Sequence, residues 1–397
     1  MSRSTLGVAD IFRRQGQQYF AQHPAPPHQR RLIGALEKCR TADLGGHVER
    51  CSDCNHQRVS YNSCRNRHCP QCQYLARRKW IEKRKAELLP IPYYHVVFTI
   101  PEQLNPLALQ NKELIYKTLF NTSAATLLEI AADPKHLGAT IGFFSILHTW
   151  GQQLNHHPHI HCVATGGGLT PEGAWKPCKP NYFLCVKVLS SRFKTLFLEA
   201  LQRAFQKQSL NFHGALTALA EEPAFLKLLD SLQKIDWVVY AKPPFGGPQQ
   251  VIEYLGLYTH RVAISNDRLL SFDGNRVTFQ YKNYRAHGRL KSRQMTLTAN
   301  EFMRRFLFHA LPPGFQRIRH YGLLSGKRKK TALPLCRCLL VNDLLPATSQ
   351  IKEAFEPAVV QPTILQSIME AALRCPVCRS GYMLRVETLA PKAWDSS

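Results

Sequence analysis

The chain has 397 residues, 44% hydrophobic and 10% aromatic, which excludes a disordered or collagen-like polymer and predicts two or three domains of roughly 150 residues each. No stretch approaches the ~18 uncharged apolar residues of a membrane span, and the opening MSRSTLGVADIFRRQ lacks a signal peptide's apolar stretch. The expected setting is therefore the cytoplasm, with no membrane partner. Fifty-two Lys+Arg against 27 Asp+Glu leave a net charge of +25, more than solubility requires, which points to a polyanion, nucleic acid before anionic lipid.

The first 46 residues read as a helical arm broken by HPAPPH. Residues 47–92 follow as a cysteine-rich module. Thirteen cysteines in a chain without an export signal argue for metal-bound thiolates more than for disulfides. CSDC (51–54) and the SCRNRHCPQC segment (63–72) give two C-x2-C pairs fourteen residues apart, close to zinc-ribbon spacing. Cys51, Cys54, Cys69 and Cys72 are the favoured S4 ligands. Cys64 and His68 compete for the same four positions, and Cys39 and His47 could enlarge the site to two ions. Arg65 and Arg67 interleave with these ligands. An S4 site leaves no open coordination position, so the module is expected to grip DNA and not to catalyse. It passes into the basic helical run LARRKWIEKRKAELLP.

From residue 93 an α/β pattern begins. YYHVVFTIP reads as a buried strand, 111–133 as a helix, and IGFFSILHTW and HIHCVAT as two strands joined by GQQLNHHP. On an extended strand His159 and His161 project from one face ~7 Å apart and could chelate one cation. A third ligand is then needed. If the hairpin pairs Trp150 with His159, His148 sits beside His161; Gln152 and Gln153 are the other candidates. The glycines 166–168 lack the Lys-Ser/Thr of a phosphate-binding loop and read as a turn where backbone comes close to DNA or another strand.

A helix is expected around 190–207, then the strand DWVVYAK and a helix near 248–260 carrying Tyr254 and Tyr258 at i, i+4 beside the apolar Val251 and Leu255. VAISN, RLLSF and RVTFQY read as a three-stranded meander. The tail (291–397) is basic. Arg317 and Arg319 are candidate phosphate contacts, Phe306, Phe308, Phe315 and Tyr321 are candidate base-stacking groups, and Cys375/Cys378 could form a second zinc site with Cys336/Cys338.

The segments SCRNRHCPQC, HPHIH with the following GGG, YLGLYTHRVAISN and GFQRIRHYGLL, in this order over roughly residues 30–325, resemble the rolling-circle transposases of the insertion-sequence-91 family, within the HUH endonuclease superfamily. The resemblance implies a ferredoxin-like HUH palm (93–290) in an α/β (α+β) protein behind a zinc-binding module. It implies Mg²⁺ or Mn²⁺ at His159 and His161, Tyr254 and Tyr258 as nucleophiles, and single-stranded transposon-end DNA as substrate. Strand unwinding would then come from host replication or helicase functions, since no ATPase signature is visible. The rival readings are a plasmid replication initiator or relaxase, a non-catalytic zinc-dependent DNA-binding regulator, and an amidohydrolase-like metal enzyme.

Overall fold

The computed structural model describes residues 6–85, 87–242, 256, 263–283, 292–344 and 373–392. In chain order its principal elements are helices α1 (Val8–Gln22) and α2 (Pro27–Lys38), strands β1 (Gly46–Cys51) and β2 (Gln57–Tyr61), α3 (Gln73–Lys85), β3 (Tyr93–Thr99), α4 (Asn105–Gln110), α5 (Lys112–Ala132), β4 (Thr140–Trp150), β5 (His156–Leu169) and β6 (Trp175–Pro177). There follow α6 (Val186–Gln206), α7 (Glu222–Lys234), β7 (Val239–Lys242), β8 (Leu269–Phe272), β9 (Arg276–Lys282), β10 (Ser292–Thr298), α8 (Ala299–Phe308), β11 (Ile318–Gly322), α9 (Lys329–Leu344) and β12 (Met383–Leu389).

Among the described residues these elements form two compact units, one within residues 74–343, the other of residues 7–73 together with 373–392. In the second unit β1 is the middle strand of an antiparallel sheet ordered β12-β1-β2. A strand from the far end of the sequence thus lies beside the first strand of the chain.

The larger unit is built on an antiparallel sheet ordered β11-β4-β5-β3-β7. Because side chains alternate along a strand, each strand serves two faces. One face carries Tyr94, Val96 and Phe98 of β3, Phe143 and Leu147 of β4, and Ile160, Cys162 and Ala164 of β5, buried beneath α5 and α6 through residues such as Leu119, Phe120, Phe193 and Phe197. The other face is apolar at one end, where Tyr93, Phe144, Ile146 and Val163 pack with Leu333, Cys336 and Leu340 of α9. Trp80 of α3 meets Phe144 edge-on at 5.3 Å between ring centroids. Farther along this second face the strands present histidines in place of aliphatic side chains.

The glycines 166–168 lie within β5, not in a turn. A Cβ at Gly166 would stand 2.6 Å from the Pro92 carbonyl oxygen and one at Gly168 2.4 Å from that of Thr140, so the absence of side chains lets neighbouring backbones close on β5. The expected meander is also revised. RLLSF and RVTFQY pair as β8 and β9, but the third strand is β10, not VAISN. Phe306 and Phe315 are core groups, 3% and 5% exposed, and Tyr321 stacks on Phe143 at 5.1 Å. Packing, not base stacking, accounts for these three aromatics.

Candidate active site and cysteine clusters

The hairpin β4–β5 brings His148, His159 and His161 together, with one ring nitrogen from each lying within 4.8 Å of the others. His148 stands opposite His159, and the register shifts between His148 and Trp150 so that Trp150 opposes His156. The bulge thus moves the pairing from the Trp150–His159 register expected from the sequence. His148 still reaches both partners, with ring centroids 4.5 Å from His161 and 5.4 Å from His159, and stacks on Trp150 at 4.7 Å.

Of the connecting loop's glutamines, Gln152 has its side chain engaged away from the histidines. The Gln152 side-chain oxygen accepts from the Lys282 amide, and the Gln152 and Gln153 carbonyls accept from Arg268 and Arg305. His148 is the histidine whose ring nitrogen lies with those of His159 and His161.

The surroundings fix how the rings are presented. His159 Nδ1 lies 2.7 Å from the His157 carbonyl and donates to it, which leaves Nε2 as the face offered to a ligand. His161 Nδ1 lies 2.8 Å from Nε2 of His95, and the two rings stack nearly parallel. Burial holds both His95 and His159 far below the usual imidazole range, at about 4, so both are neutral near pH 7. When neutral His95 carries its proton on Nδ1, its Nε2 accepts from His161 Nδ1 and the His161 lone pair is on Nε2, the tautomer a metal ligand needs. His95 was not singled out in the sequence. Its signal is a histidine at one of the alternating positions of the otherwise apolar strand YYHVVFT.

Tyr254 and Tyr258 lie outside the described residues. Gly256, between them in sequence, is described, and a Cβ there would stand 2.4 Å from Ile81 Cδ1 of α3. A glycine is what this approach to α3 allows.

The second unit gathers eight cysteines into two quartets. Cys39, Cys64, Cys69 and Cys72 form one, Cys51, Cys54, Cys375 and Cys378 the other. The four ligands expected to share one ion are thus divided, Cys51 and Cys54 going to one cluster and Cys69 and Cys72 to the other. The reason is spatial, since Cys39 at the end of α2 reaches Cys72, and the chain between the two C-x2-C pairs runs through β2. His47 instead faces Glu49 at 3.4 Å, and His68 stands outside both quartets. Cys336 is buried in the apolar cluster around α9 while Cys338 is exposed, so neither joins Cys375/Cys378.

In the first quartet the sulfurs stand 3.4 Å (Cys39–Cys72), 3.6 Å (Cys64–Cys72) and 3.7 Å (Cys39–Cys69) apart. A Zn–S bond of ~2.3 Å in a tetrahedron requires S–S edges of about 3.8 Å, against ~2.05 Å in a disulfide. The donor set fits zinc. Hydrogen bonding shared with Cys64 and Cys69 lowers the Cys39 thiol, and the same sharing raises Cys64 and Cys69. Four thiols this close cannot all ionise unless a cation compensates them. Arg65, exposed and at φ 52°, follows Cys64, and Arg67 is partly buried, which lowers its pKa. In the larger unit Arg319 lies over Phe120 at 4.3 Å and Phe315 at 5.4 Å, and the Arg317 carbonyl accepts from the Leu147 amide.

Comparison with known proteins accords with this geometry. A sequence family described as "Putative transposase" matches residues 142–332, and one described as "Transposase zinc-binding domain" matches residues 11–100. The chain is 51% identical over 404 residues to "Putative transposase y4qJ" of Sinorhizobium fredii (strain NBRC 101917 / NGR234), covering 100% of both chains. It is 30% identical over 292 residues to "Transposase for insertion sequence element IS801" of Pseudomonas savastanoi pv. phaseolicola, covering 73% of this chain and 68% of that one. No solved structure matches. The chain belongs to the insertion-sequence-91 family of transposases. It is accordingly an enzyme of DNA transposition that binds DNA and zinc. Among the described residues no helix is long and apolar enough to cross a membrane.

Proposed function

We propose that the protein nicks and rejoins single-stranded DNA at the ends of an insertion sequence through 5′-phosphotyrosine intermediates, as a rolling-circle transposase with an HUH palm in residues 93–290. The observation that carries this reading is the His148/His159/His161 trio on one face of an antiparallel sheet. His148, His159 and His161 would hold a divalent cation, which would supply Lewis-acid chemistry at a scissile phosphate. Three imidazoles make a nitrogen set softer than Mg²⁺ prefers, so Mn²⁺ is the better occupant of the Mg²⁺/Mn²⁺ pair.

Tyr254 and Tyr258 are the proposed nucleophiles. Gly256 lies against Ile81 of α3, whose neighbour Trp80 packs on Phe144, on the same sheet face as the histidines. In the proposed step a tyrosine oxygen bonds to phosphorus, the phosphodiester bond to the 3′-oxygen breaks, and the freed strand leaves as a 3′-hydroxyl. The new ester conserves the broken linkage, so a later 3′-hydroxyl restores it without ATP. Arg65, Arg67, Arg317 and Arg319 are assigned to DNA contacts, and host replication functions supply unwound strand.

The test is incubation of purified full-length protein with labelled single-stranded end DNA and Mn²⁺. An adduct that survives denaturation is expected, absent in His159→Ala although DNA retention persists, because phosphate contacts elsewhere supply most affinity. Peptide mapping should place the label on Tyr254 or Tyr258. Label on Tyr240, an exposed residue of the edge strand β7, would move the nucleophile; no adduct at all would refute the reading.

A further inference from the structure

We infer that Cys51, Cys54, Cys375 and Cys378 form a second tetrahedral zinc site, which the C-terminal segment closes onto the N-terminal module. This site reaches beyond the matched zinc-binding segment, which spans residues 11–100 and contains Cys51 and Cys54 but neither Cys375 nor Cys378.

Three observations carry it. First, Cys51–Cys378 and Cys54–Cys375 each stand at 3.6 Å between sulfurs, near the ~3.8 Å edge of a ZnS4 tetrahedron and far from disulfide length. Second, the two halves are built alike. Each is a C-x2-C turn followed by a residue in the left-handed region, Asn55 at φ 56° and Arg379 at φ 62°. Backbone amides point at the sulfurs, Asp53 N to Cys51 Sγ and Gly381 N to Cys378 Sγ, both at 3.4 Å. Such amides stabilise thiolate. A Cβ at residue 381 would stand 2.5 Å from Cys51 Sγ, so Gly381 is what lets the halves close. Third, the cluster has almost no apolar core of its own. Among the described residues, Met383 alone is buried there with Cys51 and Cys375, and Cys378 packs against them. Four thiols held at this spacing need a source of free energy that so few apolar contacts do not provide, and metal ligation is one.

Around the quartet β1 pairs with β12, and Ser52 and Tyr382 exchange backbone and hydroxyl hydrogen bonds at 2.9 and 3.0 Å. Metal and strand pairing therefore act on the same junction. Four thiolates favour zinc over harder divalent cations, with iron the chemical competitor.

The experiment uses the full-length protein. Elemental analysis, with His161→Ala in every sample so that the histidine trio is disabled, is expected to give two zinc ions per chain, and one when the Cys375→Ser/Cys378→Ser pair is added. The Cys336→Ser/Cys338→Ser control should keep two. Cobalt substitution gives a readout that does not depend on the double variant folding. Cys378→His in the same His161→Ala parent should still bind two cobalt ions, with the thiolate-to-cobalt charge-transfer band weakened by one of eight sulfur ligands. One zinc in the His161→Ala parent, two with the double serine pair added, iron in place of the second zinc, or a Cys378→His spectrum identical to that of the parent would each overturn the inference.

Discussion

Substituting His95 by Phe tests whether the sheet orients its own metal ligand. A flat aromatic ring is kept, so β3 should hold its place between β5 and β7, while the 2.8 Å hydrogen bond to His161 Nδ1 is lost. Without that acceptor the His161 ring is no longer fixed in the tautomer that offers Nε2. Loss of such an outer partner typically weakens metal affinity ~10–100-fold, or about 1.4–2.7 kcal/mol at 1.36 kcal/mol per decade. The assay is a Mn²⁺ titration of the full-length protein by electron paramagnetic resonance, run beside cleavage of single-stranded end DNA over the same Mn²⁺ range. The expected result is a dissociation constant raised by that factor, with cleavage at saturating Mn²⁺ within a few-fold of wild type. His161→Ala is the control that removes the ligand itself. If it abolishes binding while His95→Phe leaves affinity unchanged, the orienting role of His95 is refuted. If His95→Phe binds Mn²⁺ normally but does not cleave, His95 acts on substrate instead.

Other perturbations reach the rest of the molecule. Arg65→Ala should weaken DNA binding and reduce the slope of log affinity against log salt by about 1, with zinc content unchanged; loss of zinc would mean that Arg65 is structural. His156, buried and bonded to the Tyr116 hydroxyl at 2.8 Å, is pushed down to about 3 by burial and then by Lys112. The fold disfavours its protonation, so its contribution is complete above the unfolded value of about 6.5 and is lost as pH falls from there toward 3, at up to ~1.4 kcal/mol per pH unit. Denaturant midpoints at pH 7 and 5 should differ less in His156→Gln than in wild type. Gly168→Ala places a Cβ 2.4 Å from the Thr140 carbonyl oxygen, forcing β4 and β5 apart at a cost of ~1–3 kcal/mol, and an unchanged urea midpoint would contradict that contact.

Where side-chain period decides structure, the sequence was legible. The apolar runs YYHVVFT and IGFFSILHTW and the helical runs at 111–133 and 190–207 appear within a few residues of the observed β3, β4, α5 and α6. His159 and His161 were found because two residues apart on a strand means one face. Their partner His148 was only one candidate among three, because a bulge between His148 and Trp150 shifts the register, and no pattern in the sequence announces it. His95 lay hidden because its role depends on which strand pairs with β5. The cysteines show the same limit more sharply. Spacing identifies which residues bind as pairs but not which pairs meet, and Cys51/Cys54 meet a partner more than three hundred residues away, not the neighbour fourteen residues on.

The position of β1 between β2 and β12 also sets a timetable for synthesis. On the ribosome β1 and β2 emerge early, but the third strand of their sheet is encoded more than 330 residues after Cys51. At ~5–20 residues per second the wait is about 15–70 s. During it β1 has one unpaired edge, open to chaperones and proteases. A product cut short by a frameshift or a nonsense codon anywhere before β12 never fills that edge. Copies of the gene truncated between β11 and β12 would then yield proteins with the sheet β11-β4-β5-β3-β7 complete but the sheet β12-β1-β2 unfinished.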